Sequence, residues 1–430
     1  MKSFYIKTLG CKVNRYESDG IATELINNGF KRAKTIQDAQ VCIINTCTVT
    51  SKAGMQSRQA IRKITNSNPT SKIIVTGCHA QIEPELIKTI ENIDEVVGHN
   101  NKFQISDSLI KSITFPKPNE NKDTVFQSFK HLVKGEMTRA YLKIQDGCNS
   151  YCTYCIIPYA RGKSRSMSEN EVMTNLKQLY LNGFNEAILT GIHIGAWGLD
   201  LEIRSNFSML LKNIVNENSI PRIRISSIEP NELTDSIIDL ASKNTRLCDH
   251  FHIPLQSGND EILKKMGRPY ETNFFKNLIA KINKKLPLVS LGLDIIAGFP
   301  GETKEHFENT YSFIKDLEIS YLHVFPYSPR KGTKAFEFPN KVNSTEIKLR
   351  SSLLRKLSNE KKKIFESKMI NKSLKAVIQT KRDKKTNLLK AITSNYLSVH
   401  INGENDLKGK IVDIIPIKWD ENNKLHGIVG

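Results

Sequence analysis

Three cysteines in one short segment are the residues best suited to chemistry. They stand in the run Cys148-Asn-Ser-Tyr-Cys152-Thr-Tyr-Cys155. Three thiolates from one loop can hold three irons of a [4Fe–4S] cube and leave the fourth iron open to a small ligand. Zinc is the main alternative, but a structural zinc site needs a fourth protein ligand, and no second Cys-x-x-Cys or nearby histidine pair supplies one. Buried, inert thiols are the other alternative. The spacing therefore favours an iron–sulfur cluster with one free coordination position.

An open iron of this kind can chelate the amine and carboxylate of S-adenosylmethionine (SAM), as it does in radical SAM enzymes. The cysteine run follows directly on a predicted strand, and βα barrels place their chemistry at the carboxyl ends of their strands. Arginines in this region could bind the SAM carboxylate, although exposed salt bridges explain them equally well. The candidates for SAM contacts are residues near the loop or at strand ends, namely Tyr154, Arg161, Arg165, Glu229 and Gly298.

A second set of three cysteines is spread over the first 80 residues. Cys11, Cys47 and Cys78 each follow a predicted strand. Carboxyl ends of parallel strands lie on one edge of a sheet, so these cysteines are expected to be neighbours in space. Gly10 and Gly77 precede two of them and would allow a bulky group to approach the backbone. Three small buried residues are the alternative, but beside the first motif a second [4Fe–4S] cluster with one open iron is the better interpretation.

The other two cysteines are expected to be structural. Cys42 lies inside a buried-strand pattern, and Cys248 stands alone before a strand. His250 and His252 alternate along that strand and so share one face, where core or surface histidines are commoner than ligands. Disulfides are not expected, because a reducing compartment keeps thiols free.

The first part of the chain, residues 1–112, alternates apolar strands with helices. Such alternation predicts a doubly wound parallel sheet with helices on both faces. The predicted strands span residues 4–8, 41–45, 72–76 and 96–97, and the predicted helices span 17–28, 52–65 and 83–90. Residues 101–133 are polar and contain two prolines, which indicates a linker.

Residues 134–366 repeat the alternation and predict a partial (βα)6 barrel. Six strands are expected, each followed by a helix. They span residues 140–144, 187–190, 223–227, 251–255, 291–296 and 322–326. A lysine-rich helix over 345–368 closes this part.

Residues 367–430 change to short alternating segments, which predict a small β-barrel. Segments such as 374–379, 397–401 and 411–415 are expected to be among its strands. The loop after the first is basic, and basic residues beside aromatic ones suit single-stranded or looped RNA. A solvated loop is the alternative interpretation. The candidate RNA contacts are Lys381, Arg382, Lys384 and Lys385.

The charge of the chain indicates a polyanionic partner. Lysine and arginine number 63 against 44 acidic residues, a net charge of +19. Such an excess favours nucleic acid, although lysine-rich solvated surfaces would also explain it. No apolar run reaches the length of a membrane span, and no signal peptide is expected, so the predicted location is the cytoplasm, with no membrane partner.

These features together resemble the methylthiotransferase family of radical SAM enzymes. The resemblance covers nearly the whole chain: an N-terminal three-cysteine domain, a radical SAM barrel and a C-terminal TRAM domain. The segments Thr-Leu-Gly-Cys-Lys-Val-Asn (8–14), Asn-Thr-Cys-Thr-Val-Thr (45–50) and Thr-Gly-Cys-His-Ala-Gln (76–81) are similar to the branch that modifies N6-threonylcarbamoyladenosine at position 37 of tRNA. The isopentenyladenosine branch usually has a Gln-Met-Asn-like triplet after the first cysteine, and the branch acting on a ribosomal protein aspartate has a Pro-Lys-Asn-like one. Arg15 departs from the Gln that the family more often has.

The resemblance implies the cofactors and the reaction. Cys148, Cys152 and Cys155 would bind the SAM cluster, and the cysteines at 11, 47 and 78 would bind the auxiliary cluster. SAM cleavage at the first would activate C2 of the adenine, and the second would deliver methylated sulfur. A flavodoxin- or ferredoxin-type electron donor is also implied. Two other classes stay open: a plain RNA-binding module, which would not need two cysteine sets, and a zinc protein.

Overall fold

The computed structural model describes residues 2–111, 115–116, 118, 125–129, 137–202, 205–217 and 219–430. The expected domain limits at 112 and 134 lie outside the described residues, as does much of the expected linker. The part of that linker before residue 112 is not irregular, because residues 105–111 form a helix.

The N-terminal sheet has five parallel strands in the order β2-β1-β3-β4-β5. Their bounds are β1 Ser3–Thr8, β2 Lys31–Arg32, β3 Val41–Thr46, β4 Lys72–Gly77 and β5 Glu95–Val96. Strand β3 is buried along its whole length, as its apolar sequence predicts. The two-residue β2, which is polar and exposed, was not expected. From β1, the next strand in sequence lies on one side and the later strands lie on the other side. The boundary between β1 and β3 is therefore the topological switch point, where doubly wound sheets bind their ligands.

The helices beside this sheet are α1 Lys12–Asn27, α2 Ser51–Ser67, α3 Cys78–Ile82, α4 Pro84–Lys88 and α5 Ile105–Lys111. Helix α1 starts five residues earlier than predicted, with Cys11 as its N-cap residue. Helix α2 is capped by the Thr50 side chain, which accepts a hydrogen bond from the backbone N–H of Ala53. Helix α3 was not expected, and it places Cys78 at its first position.

The central part contains six parallel strands in sequence order, in two groups of three. The groups are β6-β9-β10 and β11-β12-β13, and a parallel bridge between Ser227 and His252 joins them. This is the expected partial (βα)6 arrangement. An antiparallel ribbon of β7 and β8, which flanks the cysteine loop, was not expected. The bounds are β6 Ala140–Lys143, β7 Gln145–Asp146, β8 Arg165–Ser166, β9 Glu186–Thr190, β10 Arg222–Ile225, β11 His250–Gln256, β12 Ser290–Ala297 and β13 Tyr321–Pro326.

Helices follow the barrel strands and cover their outer face. In α11, the residues at 275, 278, 279 and 282 are buried, which is the spacing of one helix face. Helix α7 begins with a capping box between Ser168 and Glu171. The helix bounds are α6 Ile157–Arg161, α7 Glu169–Leu181, α8 Phe207–Glu217, α9 Asp235–Lys243, α10 Asp260–Met266, α11 Thr272–Lys285, α12 Lys304–Asp316 and α13 Ser344–Met369. Short 3-10 helices lie at Lys102–Gln104, Ile194–Ala196, Pro230–Glu232, Lys334–Phe336 and Asn405–Leu407.

The C-terminal part is a closed five-stranded barrel in the order β14-β15-β16-β18-β17. The predicted small β-barrel is therefore confirmed, and closure leaves no sheet edge exposed. Its strands are β14 Leu374–Ile378, β15 Leu389–Thr393, β16 Ser398–Ile401, β17 Ile411–Trp419 and β18 Leu425–Val429. Strands β15 and β18 were not among the expected segments. The barrel has its own apolar core, to which Phe365 and Met369 at the end of α13 contribute.

Hydrogen bonds from two buried arginines to backbone carbonyls fasten this small barrel to the central strands. Arg222 donates to the carbonyl of Ile392 at 2.8 Å, and Arg224 donates to the carbonyl of Thr393 at 2.9 Å. Both arginines also bond the buried carboxylate of Glu186. Burial alone would raise the pKa of Glu186, but Arg224, Arg222 and Arg139 outweigh it and lower the pKa to about 2. Among the described residues, no helix is long and apolar enough to cross a membrane.

Candidate active site

The three N-terminal cysteines lie at the carboxyl ends of adjacent strands. Cys11 follows β1, Cys47 follows β3 and Cys78 follows β4. A Cβ atom placed on Gly10 would lie 2.6 Å from Cβ and 2.8 Å from Sγ of Cys47, so the backbone before Cys11 lies directly against Cys47. Burial raises the pKa of both Cys11 and Cys47, and the nearby Cys78 raises both further, so the three thiols act on one another electrostatically. The structure therefore brings together the three residues that the sequence placed at one sheet edge.

Hydrogen bonds fix the backbone around this group. The backbone N–H of Cys47 donates to the Ser57 hydroxyl at 3.1 Å, and that hydroxyl donates to the Cys47 carbonyl at 2.9 Å. The Asn14 amide donates to the carbonyls of Leu9 at 2.8 Å and Thr46 at 3.0 Å. Since Leu9 precedes Gly10 and Thr46 precedes Cys47, Asn14 holds the ends of β1 and β3 together.

The second cysteine group lies on a loop anchored at several points. The N–H of Cys148 donates to the carbonyl of Gly162 at 3.1 Å. At the middle of the loop, the backbone N–H of Thr153 donates to the carbonyl of Met266 at 3.0 Å, and its hydroxyl donates to the carbonyl of Lys265 at 2.9 Å. The loop is thus fixed against the end of α10 and against the segment after α6.

Two charged residues that the sequence analysis did not single out contact this loop. His193 Nδ1 lies 3.5 Å from the Cys148 sulfur, and its Nε2 lies 2.7 Å from a Glu232 oxygen. Arg268 donates to the Cys152 sulfur at 3.3 Å. His193 follows β9 closely, so the strand-end argument could have found it. Arg268 lies 116 residues from Cys152 in the sequence, and no motif around it indicates that it contacts the cysteine loop.

Arg268 connects the loop to two of the expected SAM contacts. It forms an ion pair with Glu229, whose pKa is nevertheless raised because burial outweighs the arginine. Burial also raises the pKa of Tyr154, and Arg268 and Glu229 are among the charges that act on it. The ring of Tyr154 packs edge-on against Phe299, with centroids 6.5 Å apart. Glu229 therefore lies beside the cysteine loop, to which Tyr154 itself belongs.

The structure gives different surroundings to three other residues expected near SAM. Arg161 is fully buried in an ion-pair network. Arg165 is also buried, with Nη2 3.9 Å from an Asp146 oxygen. A Cβ atom on Gly298 would overlap the side chain of Ile347 in α13, so helix packing explains that glycine. Their expected contacts with SAM stay predictions.

The network around Arg161 links the two cysteine groups. Its guanidinium donates to Glu17 at 3.0 Å, to Asp146 at 2.9 Å and to the Asn14 side-chain oxygen at 2.7 Å. Asn14 lies one turn after Cys11 in α1, and Arg161 follows Cys155 by six residues. One buried side chain therefore ties the loop of the second group to the helix that begins at the first.

Further buried charges complete this network. Lys102 lies 2.7 Å from Glu17, Lys143 lies 3.0 Å from Asp146, and His99 lies 3.1 Å from the same aspartate. Four cations, Arg161, Lys102, Lys143 and Arg165, face the two carboxylates of Glu17 and Asp146, which leaves a net positive charge. Although the ligand atoms of Glu17, His99 and Asp146 are close enough for a metal ion, the surrounding cations exclude one.

The cysteine groups fit a cluster better than a single metal ion. Among the described residues, the sets of three ligand atoms within 4.8 Å of one another are Glu17–His99–Asp146 and His252–Asp294–His323, and neither contains a cysteine. Thiolates on one zinc ion would be about 4 Å apart, given Zn–S bonds of about 2.3 Å. Burial raises the pKa of Cys47 and of Cys155 to about 12, so these thiols need a cationic centre to ionise.

The basic loop between β14 and β15 contains one arginine that holds the loop together and three exposed lysines. Arg382 is structural, because it donates to Asn405 at 3.0 Å and to the carbonyls of Asn387 at 2.9 Å and Gly403 at 2.8 Å. Lys384 and Lys385 are exposed. Lys381 is exposed as well.

In the lysine-rich helix α13, Arg350 and Lys368 are paired with Glu302 and Glu318.

Family models match most of the two larger parts of the chain. The family described as "Uncharacterized protein family UPF0004" matches residues 3–98, and the "Radical SAM superfamily" matches residues 142–314. The radical S-adenosylmethionine methyltransferase TsrM from Kitasatospora setae, solved with cobalamin and a [4Fe–4S] cluster, has a TM-score of 0.58 at 14% identity and covers 78% of this chain and 77% of its own. The cobalamin-dependent SAM radical enzyme OxsB has a TM-score of 0.51 at 12% identity, covering 85% and 56%. The class is thus a radical SAM enzyme, which uses SAM and a [4Fe–4S] cluster.

Curated relatives cover nearly the whole chain. The "Threonylcarbamoyladenosine tRNA methylthiotransferase MtaB" of Bacillus subtilis (strain 168) is 39% identical over 97% of this chain and 94% of its own. The protein of the same name from Rickettsia prowazekii (strain Madrid E) is 40% identical over 81% of each. A "tRNA-2-methylthio-N(6)-dimethylallyladenosine synthase" from Clostridium botulinum (strain Hall) is 33% identical over 96% and 94%. The chain belongs to the methylthiotransferase family of radical SAM enzymes, in its MtaB branch.

Proposed function

We propose that this enzyme transfers a methylthio group to C2 of N6-threonylcarbamoyladenosine at position 37 of tRNA. The observation that carries the proposal is the pairing of two three-cysteine groups in one molecule, tied through Arg161. A second cluster with an open iron can carry the sulfur that transfer of a methylthio group requires. The full-length similarity to relatives named for this activity supports the choice of substrate.

The proposed site divides the work between the two groups. Cys148, Cys152 and Cys155 hold the cluster that binds SAM, and Cys11, Cys47 and Cys78 hold the auxiliary cluster. When bound there, the two [4Fe–4S] clusters and SAM supply the radical chemistry and the sulfur that substitution at C2 requires. The remaining task of the protein is to position these groups and exclude water from them.

The side chains beside the second group have positioning roles. Arg268 bonds the Cys152 sulfur and pairs with Glu229, so it orients a carboxylate toward the cysteine loop. Glu229 and Tyr154 are the proposed contacts for the polar groups and the adenine ring of SAM. His193, held by Glu232, places a hydrogen-bonding nitrogen next to the Cys148 sulfur. Hydrogen bonds to cluster sulfurs tune reduction potentials.

The division into residues 1–112, 134–366 and 367–430 assigns a role to each part. The first carries the auxiliary cluster, the second the SAM cluster, and the third, a TRAM-like barrel, contacts tRNA through its basic loop. Its exposed Lys384 and Lys385 are the proposed phosphate contacts, together with Lys381. A flavodoxin- or ferredoxin-type protein supplies the electrons, and the reaction takes place in the cytoplasm, where tRNA is found.

Isopentenyladenosine in tRNA is the second candidate substrate, because a relative named for the dimethylallyl compound is 33% identical over most of the chain. The Lys12-Val13-Asn14 triplet favours the threonylcarbamoyl substrate. An aspartate of a ribosomal protein is the third candidate and is favoured by no relative quoted above.

The experiment is a competition between substrates. Reconstituted enzyme receives SAM, a reductant and tRNAs that carry threonylcarbamoyladenosine or isopentenyladenosine, and nucleosides are identified by mass spectrometry. We expect a 2-methylthio product from the first tRNA and none from the second. Product from the isopentenyl tRNA alone would assign the other branch. Modification of a ribosomal protein, with both tRNAs inert, would overturn the proposal.

A further inference from the structure

One segment of the central part contacts both cysteine groups. It comprises residues 327–335, which follow the last barrel strand β13, and we call it the connecting segment. At its end, the backbone N–H of Ala335 donates to the carbonyl of Thr153 at 2.8 Å. Thr153 lies between Cys152 and Cys155, so the connecting segment is bonded directly to the second cysteine loop.

The first half of the connecting segment contacts the N-terminal sheet. The backbone N–H of Ser51, the first residue of α2, donates to the Ser328 hydroxyl at 2.8 Å. Arg330 Nη2 donates to the Thr48 hydroxyl at 2.5 Å and to a Glu83 oxygen at 3.2 Å. These partners are far apart in the sequence, so the contacts exist only because the N-terminal sheet and the central barrel pack together.

Arg330 reaches the residues beside two of the three N-terminal cysteines. Its partner Thr48 is fully buried and directly follows the cysteine at the end of β3. Its partner Glu83 directly follows α3, the helix that begins with Cys78. The second oxygen of Glu83 lies 3.0 Å from Nε2 of His79, the buried residue after Cys78. One guanidinium therefore holds the ends of β3 and β4 from outside the sheet.

Hydrogen bonds inside the connecting segment join these two sets of contacts. The Thr333 hydroxyl donates to the carbonyl of Arg330 at 2.7 Å, and the backbone N–H of Thr333 donates to the same carbonyl at 3.1 Å. The Tyr327 hydroxyl donates to the carbonyl of Ala335 at 2.9 Å. Because the segment is short and bonded to itself, its contacts with the first cysteine group are held at a fixed distance from its contact with the second.

We propose that Arg330 is a positioning residue that fixes the first cysteine group relative to the second through the connecting segment. This inference rests on the proposed function, which requires hydrogen abstraction and sulfur transfer at the same adenine carbon. Since a displacement of about 1 Å can slow a reaction about 100-fold, the two groups need a fixed separation. Arg330 acts on the loops of Cys47 and Cys78, whereas Arg161 acts on the helix that begins after Cys11.

The ratio of 5′-deoxyadenosine to methylthiolated product tests this role in the reconstituted full-length enzyme. Reductive SAM cleavage needs only the second cysteine group, whereas the product needs both groups at the correct separation. Arg330→Met should therefore raise the ratio by about tenfold or more, while SAM cleavage stays near the wild-type rate. Arg330→Lys, which keeps a cation that can donate to Thr48 or Glu83, should give a smaller rise.

Thr48→Val tests the same contact from the other side. It removes the hydroxyl that accepts from Arg330 and should also raise the ratio. The double variant Arg330→Met/Thr48→Val should show no larger rise than Arg330→Met, because substitutions that break one contact are not additive. Hydrogen exchange measured by mass spectrometry is independent of activity. Arg330→Met should increase the exchange of backbone amides in residues 47–50 and 78–83.

Arg246→Met is the matched control. Arg246 donates to the carbonyls of Val215 and Ile220, both at 2.8 Å, and precedes β11, away from the carboxyl ends of the strands. Its loss should lower the thermal unfolding midpoint but leave the ratio unchanged. If Arg330→Met folds, an unchanged ratio or an equal rise in Arg246→Met would make the inference wrong.

Thr48→Val decides the question if Arg330→Met does not fold, because valine has nearly the shape of threonine. An unchanged ratio in Thr48→Val would then contradict the inference. A wild-type enzyme that cleaves SAM but forms no methylthio product would instead contradict the proposed function. Hydrogen exchange would still report whether Arg330 holds the two loops, so the two failures are distinguishable.

Discussion

At the scale of single residues, Arg161 joins parts of the molecule that are far apart in the sequence. Its partners Glu17 and Asn14 belong to α1, and its partner Asp146 precedes the second cysteine loop. Burial would lower its pKa, but the nearby Cys78, Glu17 and Asp146 raise it, so it stays charged. Removing one partner of a buried ionic network leaves the others unpaired, which costs more than the intact network contributes.

We expect Arg161→Met to destabilise the apo protein by about 3–5 kcal/mol, because Glu17 and Asp146 would lose a shared cation. Chemical unfolding followed by far-ultraviolet circular dichroism measures the change. Arg15→Met is the control, since the Arg15–Asp19 pair lies at the surface and such pairs contribute at most about 1 kcal/mol. Equal effects of the two substitutions would contradict a structural role for the buried network.

The six cysteines should separate into two functional sets. Changing Cys148, Cys152 or Cys155 to Ala should remove about half of the iron and all reductive SAM cleavage. Changing Cys11, Cys47 or Cys78 to Ala should also remove about half of the iron but retain SAM cleavage and abolish methylthiolation. Iron and sulfide analysis and detection of 5′-deoxyadenosine measure these outcomes.

Cys42→Ala and Cys248→Ala are the controls for that experiment. Cys42 is buried beside the hydroxyl of Ser71, 3.6 Å away, near the start of β3 and not at the carboxyl end where the site lies. Cys248 is buried before β11. Both variants should keep both activities. Stoichiometric zinc without acid-labile sulfide in the wild type would rule out the cluster interpretation for both groups.

The cysteines could be predicted from the sequence because each follows a strand whose apolar run is visible. The residues that hold the cysteine loops in place could not be predicted from the sequence. Arg268 reaches Cys152 across 116 positions, and Arg161 reaches Asn14 across 147. Neither lies in a periodic pattern that indicates its partner. Arg161 was instead expected to bind SAM or a phosphate. Its position after a cysteine loop does not indicate that Glu17 and Asp146 pair with it in the folded protein.

At the scale of elements, the long apolar strands were predicted well and the short polar ones were not. All six central strands occur where expected, since each carries buried residues on its outer face. Strand β2, the β7–β8 ribbon and strand β15 were missed, because two to five residues with polar or mixed character give little signal. The interface between β10 and the C-terminal barrel was also unforeseen, although Arg222 and Arg224 alternate along that strand.

The ion pairs of Glu186 at that interface should make the free energy of unfolding depend on pH in the acidic range. The folded pKa of Glu186 is about 2, below its ordinary value of about 4.5, so its contribution is complete above about pH 4.5 and is lost as the pH falls toward 2. The contribution is on the order of 3 kcal/mol for a shift of this size. We expect the difference in thermal unfolding midpoint between wild type and Glu186→Gln to shrink across this range.

Unfolding midpoints between pH 2 and pH 7 measure that difference. Glu360→Gln, at an exposed position of α13, is the control and should follow the wild-type profile. A constant gap between wild type and Glu186→Gln at all pH values would mean that the Glu186 carboxylate is not paired with the arginines. Because Glu186 also holds the arginines that bond the C-terminal barrel, its loss should increase protease cleavage near residue 370.

At the scale of the whole molecule, the three parts are not independent. The core of the N-terminal sheet is continuous with the core of the central barrel, since residues such as Phe4, Tyr16 and Leu142 belong to one apolar cluster. The C-terminal barrel closes against β10 through buried arginines. Removing residues 370–430 would therefore expose Arg222 and Arg224 and disturb the central part, so changes in the basic loop test RNA binding more cleanly than a deletion does.

The positive charge of the chain should govern its affinity for tRNA. With a net charge of +19, binding should neutralise several phosphates and release their counterions. We expect the affinity to fall by more than about tenfold between 50 and 200 mM salt, as for proteins that contact several phosphates. Fluorescence anisotropy with labelled tRNA across a salt series measures the slope of log Kd against log salt.

The double variant Lys384→Gln/Lys385→Gln should reduce that slope by about 2, since each lysine that contacts a phosphate contributes about 1. Both side chains are exposed on the β14–β15 loop and can reach a phosphate without breaking the barrel. The double variant Lys243→Gln/Lys284→Gln removes the same charge from the outer helices α9 and α11 and should leave the slope nearly unchanged. If both double variants change the slope equally, tRNA binding reflects net charge alone and the basic loop is not a specific contact.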